Sequence, residues 1–305
     1  MAGGENMSIR FRPPFEAGSF LLEVTEGCSH NRCSFCTMYR DQQFRILSID
    51  EIEEQLFAAK ISADKISRVF LENGDAFALS AEKLSVIAEM VHSYFPKVRT
   101  ISMYASVKNI IRKSDSELKQ LASLGIGDLN IGIESGYDKA LKMMEKGYSA
   151  KDAEEQLLRL KDAGISFCAN IILGAAGSGS SYNNARETAK LLNRTKPYLI
   201  FTGTIHADEG CPLYDQMKDG RFEECTFEEY FYEEEVLLNM LELPETYLFG
   251  LHPSNVLLVQ GKLGTDKDKI MKALYKRRKQ LAKKLDQRPV RISEGTIIEN
   301  IGYLV

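Results

Sequence analysis

Short apolar runs alternate with longer amphipathic segments through most of the chain. Six runs read as strands: Phe20–Thr25, Arg68–Glu72, Thr100–Ala105, Asp128–Ile133, Ser166–Leu173 and Tyr198–Ile205. Each is short and rich in Ile, Val, Phe or Tyr, as expected of strands buried on both faces of a parallel sheet. The segments between them carry helix starts. Ser48-x-x-Glu51, Ser114-x-x-Glu117, Ser149-x-x-Asp152 and Thr226-x-x-Glu229 each place a capping oxygen three residues before a carboxylate. Gly125 and Gly164 follow helical stretches where a C-cap needs positive φ. Six strand–helix units predict an α/β fold with a parallel sheet, either a full or partial barrel or a doubly wound sheet.

The pattern changes near residue 207. An acidic stretch, "DEGCPLYDQMKDGRFEECTFEEYFYEEE", precedes a basic one, "KLGTDKDKIMKALYKRRKQLAKKLDQRPVR". Two readings stay open: a pair of solvated helices packed near one another, or a basic helix that docks RNA or another acidic partner. The expected organisation is an N-terminal arm over 1–16, a core over 17–240, and a C-terminal extension with the basic helix over 241–305.

Composition narrows the function classes. With 305 residues and 44% hydrophobic content the chain can bury a sizeable core. A net charge of −4 argues against a general nucleic-acid coat. No run approaches the roughly 18 apolar residues of a membrane span, and the start lacks a signal-peptide core. A cytoplasmic location, with reduced thiols, is therefore expected.

Against that background the cysteines stand out. Cys28, Cys33 and Cys36 lie in nine residues with the spacing C-x4-C-x2-C, just past the first strand. In a reducing compartment such clustering means metal or catalysis more often than disulfides. Three thiolates can hold three corners of a four-iron cluster and leave the fourth iron open. Zinc competes, with His30 as fourth ligand, although His30 is only two residues from Cys28. Cys168, Cys211 and Cys225 are widely spaced and match no second cluster.

"VTEGCSHNRCSFC", with an aromatic before the last cysteine, resembles the cluster loop of the radical S-adenosylmethionine (SAM) superfamily. The likeness continues in "LENGDAF", "LNIGIESGYDKALKMMEKG", "NIILGAAG" and "EGCPLYDQMKDG", in order, over about residues 12 to 225. The branch it resembles holds the Elongator catalytic subunit, the anaerobic coproporphyrinogen oxidase and the methylthiotransferases. One departure is the extra residue between Cys28 and Cys33, because C-x3-C-x2-C is the superfamily's commonest spacing.

The resemblance implies a partial (βα)6 parallel barrel with a C-terminal helical extension. It implies one 4Fe-4S cluster on Cys28, Cys33 and Cys36, and SAM as the second cofactor. A low-potential donor such as flavodoxin or ferredoxin would supply the electron. Cleavage of SAM would give a 5′-deoxyadenosyl radical that takes hydrogen from a substrate. Phe35 would cover the adenine or the cluster. Asn73, Gly74 and Asp75 would meet the methionyl ammonium, Glu134 the ribose hydroxyls, and Asn170 and Gly174 the adenine or carboxylate end. Position at strand ends alone makes Tyr104, Ser106, His206 and Asp208 candidates for facing substrate, and His252 a weaker one. No RNA-binding module of ordinary domain size is recognised, yet tRNA stays open as a substrate. The opposing readings are a zinc-stabilised nucleic-acid or protein binding protein and an iron–sulfur electron carrier.

Overall fold

The computed structural model describes residues 12–284, so most of the expected arm over 1–16 and the end of the extension lie outside the described residues. The strands are β1 (Phe20–Glu23), β2 (Thr25–Glu26), β3 (Arg45–Ile46), β4 (Arg68–Glu72), β5 (Thr100–Ala105), β6 (Ile126–Glu134), β7 (Ser166–Leu173), β8 (Leu199–Thr204), β9 (Tyr247–Gly250) and β10 (Val259–Lys262). The helices are α1 (Ile49–Ala59), α2 (Ala81–Tyr94), α3 (Val107–Ile111), α4 (Asp115–Ser123), α5 (Asp138–Met143), α6 (Ala150–Ala163), α7 (Ser181–Thr195), α8 (Pro212–Lys218), α9 (Phe227–Met240) and α10 (Leu263–Lys284). Eight strands form one sheet in the order β1-β4-β5-β6-β7-β8-β9-β10. The pairs β1–β4, β4–β5, β7–β8 and β8–β9 are parallel, and β9–β10 is antiparallel.

All six expected strands form, three of them (Arg68–Glu72, Thr100–Ala105 and Ser166–Leu173) with the expected bounds and three with shifted ends. The first stops at Glu23. After Val24, Thr25 and Glu26 turn away to pair antiparallel with Ile46 and Arg45. This small ribbon closes segment 27–44, which carries the cysteines, at its base. The sequence reading did not name β9 and β10, and the expected helical extension therefore contains two strands. Both have only four residues, and β9 finds its place by pairing with β8.

The contacts divide the chain into two compact units, and the division runs through β6. The first holds, among the described residues, 12–31, 39–129 and 163–165. Its core joins Leu22, Val69, Phe70 and Leu71 of the strands to Leu84, Ile87 and Val91 of α2, all buried. Capping boxes start α1 at Ser48 and α4 at Ser114, and Gly125 adopts the positive φ expected of it.

The second unit holds, among the described residues, 32–38, 130–162 and 166–284. Its buried residues include Ile131, Ile133, Ala169, Ile171 and Ile200 from the strands and Tyr230, Phe231 and Leu237 from α9. Ser149 and Asp152 exchange hydrogen bonds at the start of α6, and Thr226 and Glu229 form a capping box for α9. The acidic and basic stretches do pack together. Arg278 of α10 binds Glu228 and Glu235 of α9, and the Tyr275 hydroxyl donates to Glu235 at 2.9 Å.

Near the amino ends of the strands in the first unit, Glu16 is fully buried and accepts two hydrogen bonds from Arg68 and one from Ser102. Arg68 also pairs with Asp128. Burial opposes the Glu16 carboxylate, but the hydrogen bonds from Arg68 and Ser19, together with Arg68's charge, hold its pKa below the usual glutamate value. A carboxyl lowered on folding adds stability above its unfolded pKa and loses it as pH falls through the folded value. Arg68→Ala should therefore cost about 2–4 kcal/mol at pH 7, and less near pH 4. Urea unfolding at both values checks this; an equal loss at both would contradict the assignment.

Candidate cofactor site at the carboxyl ends of the strands

In the first unit, the chain after β2 reaches half-buried Cys28, and Ser29 beside it donates its hydroxyl to Asp75. Asp75 follows β4 and is buried. Burial pushes its pKa up to about 6, against hydrogen bonding from Ser29 and the Asn109 side chain and the charges of Arg112 and Lys113. Its Oδ1 has no hydrogen-bond partner among the described residues. Asn73 sits in the left-handed region at φ 74°, and its amide donates to Glu23 Oε1 at 2.7 Å and to the Thr25 carbonyl at 2.6 Å. Its side chain thus ties the end of β4 to β1 and β2. Gly74 also leaves room within the chain: a Cβ there would lie 2.4 Å from the Tyr39 ring. Tyr39 lies on the return of the cysteine segment, so this contact holds that return against β4's turn.

Two of the position-only candidates also lie here. The Ser106 hydroxyl is engaged as the N-cap of α3, bonded to the Asn109 amide nitrogen and side chain. A capping serine explains that residue. Tyr104 packs edge-on against Phe70 at 5.4 Å. A lysine that the sequence reading did not name, Lys113, donates to the carbonyls of Phe77 and Leu79, and burial pushes its pKa down to about 8.

The second unit carries Cys33, Phe35 and Cys36. The Cys36 N–H donates to the Cys33 carbonyl at 3.3 Å, so the C-x2-C half forms a turn. Ser34 inside it uses every polar group it has. Its N–H donates to Met144 O at 3.1 Å, its hydroxyl to Met143 O at 2.9 Å, and its carbonyl accepts from Leu213 N–H at 2.8 Å. Phe35 packs on an apolar group formed by Ala140, Leu141, Met144, Ala175 and Ala176. Burial pushes the Cys36 thiol up.

The charge that balances these groups is Lys146, which sits at the end of a segment quoted for its resemblance but was given no role. Its ammonium donates to Glu134 Oε1 at 2.9 Å, and both side chains are about nine-tenths buried. Burial opposes the charge, but Glu134, then Tyr148 and Cys33, hold the Lys146 pKa well above its usual value. The Tyr148 hydroxyl donates to the Gly132 and Ile133 carbonyls, and burial pushes its pKa up. Glu134 itself has φ 64°, uncommon for a residue with a Cβ. Gly132 gives it room, since a Cβ there would lie 2.5 Å from Glu134 Oε1.

Asn170 in β7 accepts from the Cys168 thiol at 3.4 Å. Gly174 follows at φ 76°, its N–H donating to Glu233 Oε1 at 2.9 Å, and a Cβ on it would strike Tyr230 at 2.3 Å. Its smallness serves α9, within the chain. Past β8, His206 Nε2 lies 2.8 Å from Asp208 Oδ1, and the Thr37 hydroxyl, next to Cys36, donates to Asp208 at 3.4 Å. His252 pairs with Ser254 at 2.7 Å, and burial lowers its pKa. Cys211 and Cys225 are buried, and Cys225 lies 3.7 Å from the Ser181 hydroxyl.

Residues 22–192, more than half the chain, match the Radical SAM superfamily. The chain belongs to the radical SAM superfamily. The tRNA uridine(34) acetyltransferase of Methanocaldococcus infernus is 26% identical over 117 residues, 38% of this chain and 22% of that protein. The tRNA-2-methylthio-N(6)-dimethylallyladenosine synthase of Hahella chejuensis is 23% identical over 217 residues, 66% of this chain and 46% of that one. The chain thus spans less than half the length of either. Among solved structures, methylornithine synthase matches with a TM-score of 0.55 at 15% identity, over 84% of this chain and 68% of that one. The archaeal Methanocaldococcus infernus Elp3 matches at 0.53 and 16%, over 84% and 63%. At such identities the likeness is one of fold, and it bears out the partial parallel α/β barrel.

Members of the radical SAM superfamily use a 4Fe-4S cluster and SAM, and this chain carries that superfamily's domain. The donor set fits the cluster: three soft thiols in nine residues suit iron–sulfur ligation, with a buried ammonium near two of them to offset thiolate charge. Lys146→Ala should destabilise the protein by about 3–5 kcal/mol in denaturant titration, because it strands the Glu134 carboxylate. Adding Glu134→Gln should recover more than half of that loss. Additive losses would show that the pair is not the reason.

Proposed function

We propose that the protein holds a four-iron cluster on Cys28, Cys33 and Cys36, cleaves SAM reductively, and takes hydrogen from a substrate through the 5′-deoxyadenosyl radical. The observation that carries this reading is the three-thiol loop inside the superfamily match, anchored at its base by the β2–β3 ribbon. When bound, the two cofactors supply the electron path and the radical. The protein's residues place them and exclude water.

In this reading Phe35 presents an apolar face beside the cluster. Asn73, Gly74 and Asp75 form the turn that meets the methionyl ammonium, with Asp75 Oδ1 as the polar acceptor still without a partner. Glu134 gives one oxygen to Lys146 and offers Oε2 to the ribose hydroxyls. Asn170 and Gly174 border the adenine or carboxylate end. Tyr104, His206 and Asp208 face the substrate side, and Ser106 serves as a helix cap. A low-potential donor of the flavodoxin or ferredoxin type provides the electron. Two of the three curated relatives are named for tRNA and the third is a putative methylthiotransferase, which favours an RNA over a free metabolite as the hydrogen source.

Anaerobic reconstitution with iron and sulfide, followed by SAM and dithionite, tests this directly. Wild-type protein should release 5′-deoxyadenosine, and Cys33→Ala should release at most about 1% as much. A preparation that carries a verified four-iron cluster but yields none, with or without added tRNA, would refute the reading.

A further inference from the structure

Helix α10 separates its charges by face. Ile270, Leu274 and Leu281 are buried, and Arg278 turns inward to Glu228 and Glu235. Lys272, Lys276, Lys279 and Lys283 are all exposed, at spacings of four, three and four residues. At about 100° per residue these four fall within a strip about 60° wide, running about 16 Å along the axis. None of the four makes an ion pair or side-chain hydrogen bond among the described residues. The acidic neighbours on α9 are met instead by Arg278 and Tyr275. A chain of net charge −4 therefore carries one continuous strip of unneutralised ammonium groups.

We propose that this lysine strip is a docking surface for the phosphate backbone of RNA. The claim deepens the RNA-substrate reading above and locates where that RNA is gripped. Three physical features favour a nucleic acid. Evenly spaced point charges match a backbone that repeats its charge every few ångströms, and they need no particular sequence register. Lysine is depleted in protein–protein interfaces, and the strip has no apolar centre to bury. Insertion into a lipid surface would need an apolar face, but the apolar face of α10 is occupied by the protein's own core.

The test uses the full 305-residue chain, reconstituted with its cluster, and a fluorescently labelled, unmodified tRNA transcript without SAM or reductant. Anisotropy is followed from 50 to 200 mM salt. The variant K272Q/K276Q/K279Q/K283Q should bind at least about tenfold more weakly, and its slope of log K against log salt should be shallower by about 2–4. The corresponding four-arginine variant should retain binding. A control with the same charge change elsewhere, K60Q/K83Q/K119Q/K161Q, should lose no more than about threefold.

Equal loss in both glutamine variants, or no loss in the α10 variant, would overturn the proposal. So would an α10 effect confined to an acidic flavodoxin or to phosphatidylserine vesicles, with RNA affinity unchanged. Because no cleavage chemistry enters the assay, a failure here leaves the deoxyadenosine result standing, and the two readings fail separately.

Discussion

A single buried cation, Lys146, sets the terms for the site in the second unit. Its ammonium meets the Glu134 carboxylate at 2.9 Å, with Tyr148 and Cys33 as further partners in its field. Without Lys146, a carboxylate and nearby thiolates would have to share a poorly solvated region, at a cost that burial magnifies. The pair also explains local backbone. Glu134 leaves β6 in the left-handed region, and Gly132, two residues earlier on the same face, vacates the space its carboxylate needs. The Tyr148 hydroxyl then takes up the strand's last carbonyls. Strain at φ 64° persists because the Lys146 pair, the Tyr148 hydroxyl and the room left by Gly132 together hold it, a pattern common where binding geometry matters more than local comfort.

The first unit solves a similar problem with hydrogen bonds. Asn73 also sits at positive φ just past a strand, and its amide spans to β1 and to the β2 carbonyl. Ser29 ties the cysteine segment to Asp75, Tyr39 fills the space that Gly74 leaves, and the β2–β3 ribbon shuts the base. In the second unit Ser34 commits its N–H, hydroxyl and carbonyl to neighbours on either side. If the loop holds a cluster as proposed, its ligands alone would not order it, because thiolates repel one another until the metal arrives. These contacts fix the backbone beforehand.

Much of this was legible in the residues, for identifiable reasons. Strands buried on both faces appear as unbroken apolar runs, and reciprocal caps need only a serine or threonine and a carboxylate three residues on. Both signals are local. The three cysteines are local too, and their chemistry follows from spacing and softness. What escaped was non-local. Lys146 looks like any surface lysine until Glu134, twelve residues back, closes on it. Gly74 and Gly174 announce close approach, but which group approaches depends on Tyr39 and Tyr230, distant in sequence. Ser106 followed a strand and read as substrate-facing, yet Asn109 three residues later completes a capping box, a pairing outside the serine–carboxylate pattern sought. Strands β9 and β10 are too short to declare themselves without β8 beside them.

The C-terminal helix shows how far charge alone can be read. A run of lysines and arginines says only that some face is basic. The fold distributes the types by what each does best. Arg278, with a planar fork suited to two carboxylates at once, is spent on Glu228 and Glu235. Lys272, Lys276, Lys279 and Lys283, as strongly hydrated point charges on flexible stems, are left facing solvent. Had the acidic helix α9 existed to neutralise the basic run, the lysines would have shared that task. Instead one arginine and one tyrosine hydroxyl meet the acidic side chains of α9, Lys267 bonds the carbonyls of Asn239 and Leu241 at its end, and four further lysines stay in an exposed line. The acidic and basic stretches are thus coupled by only a few groups, and an account of the pair that stops at mutual neutralisation leaves the outer strip unexplained.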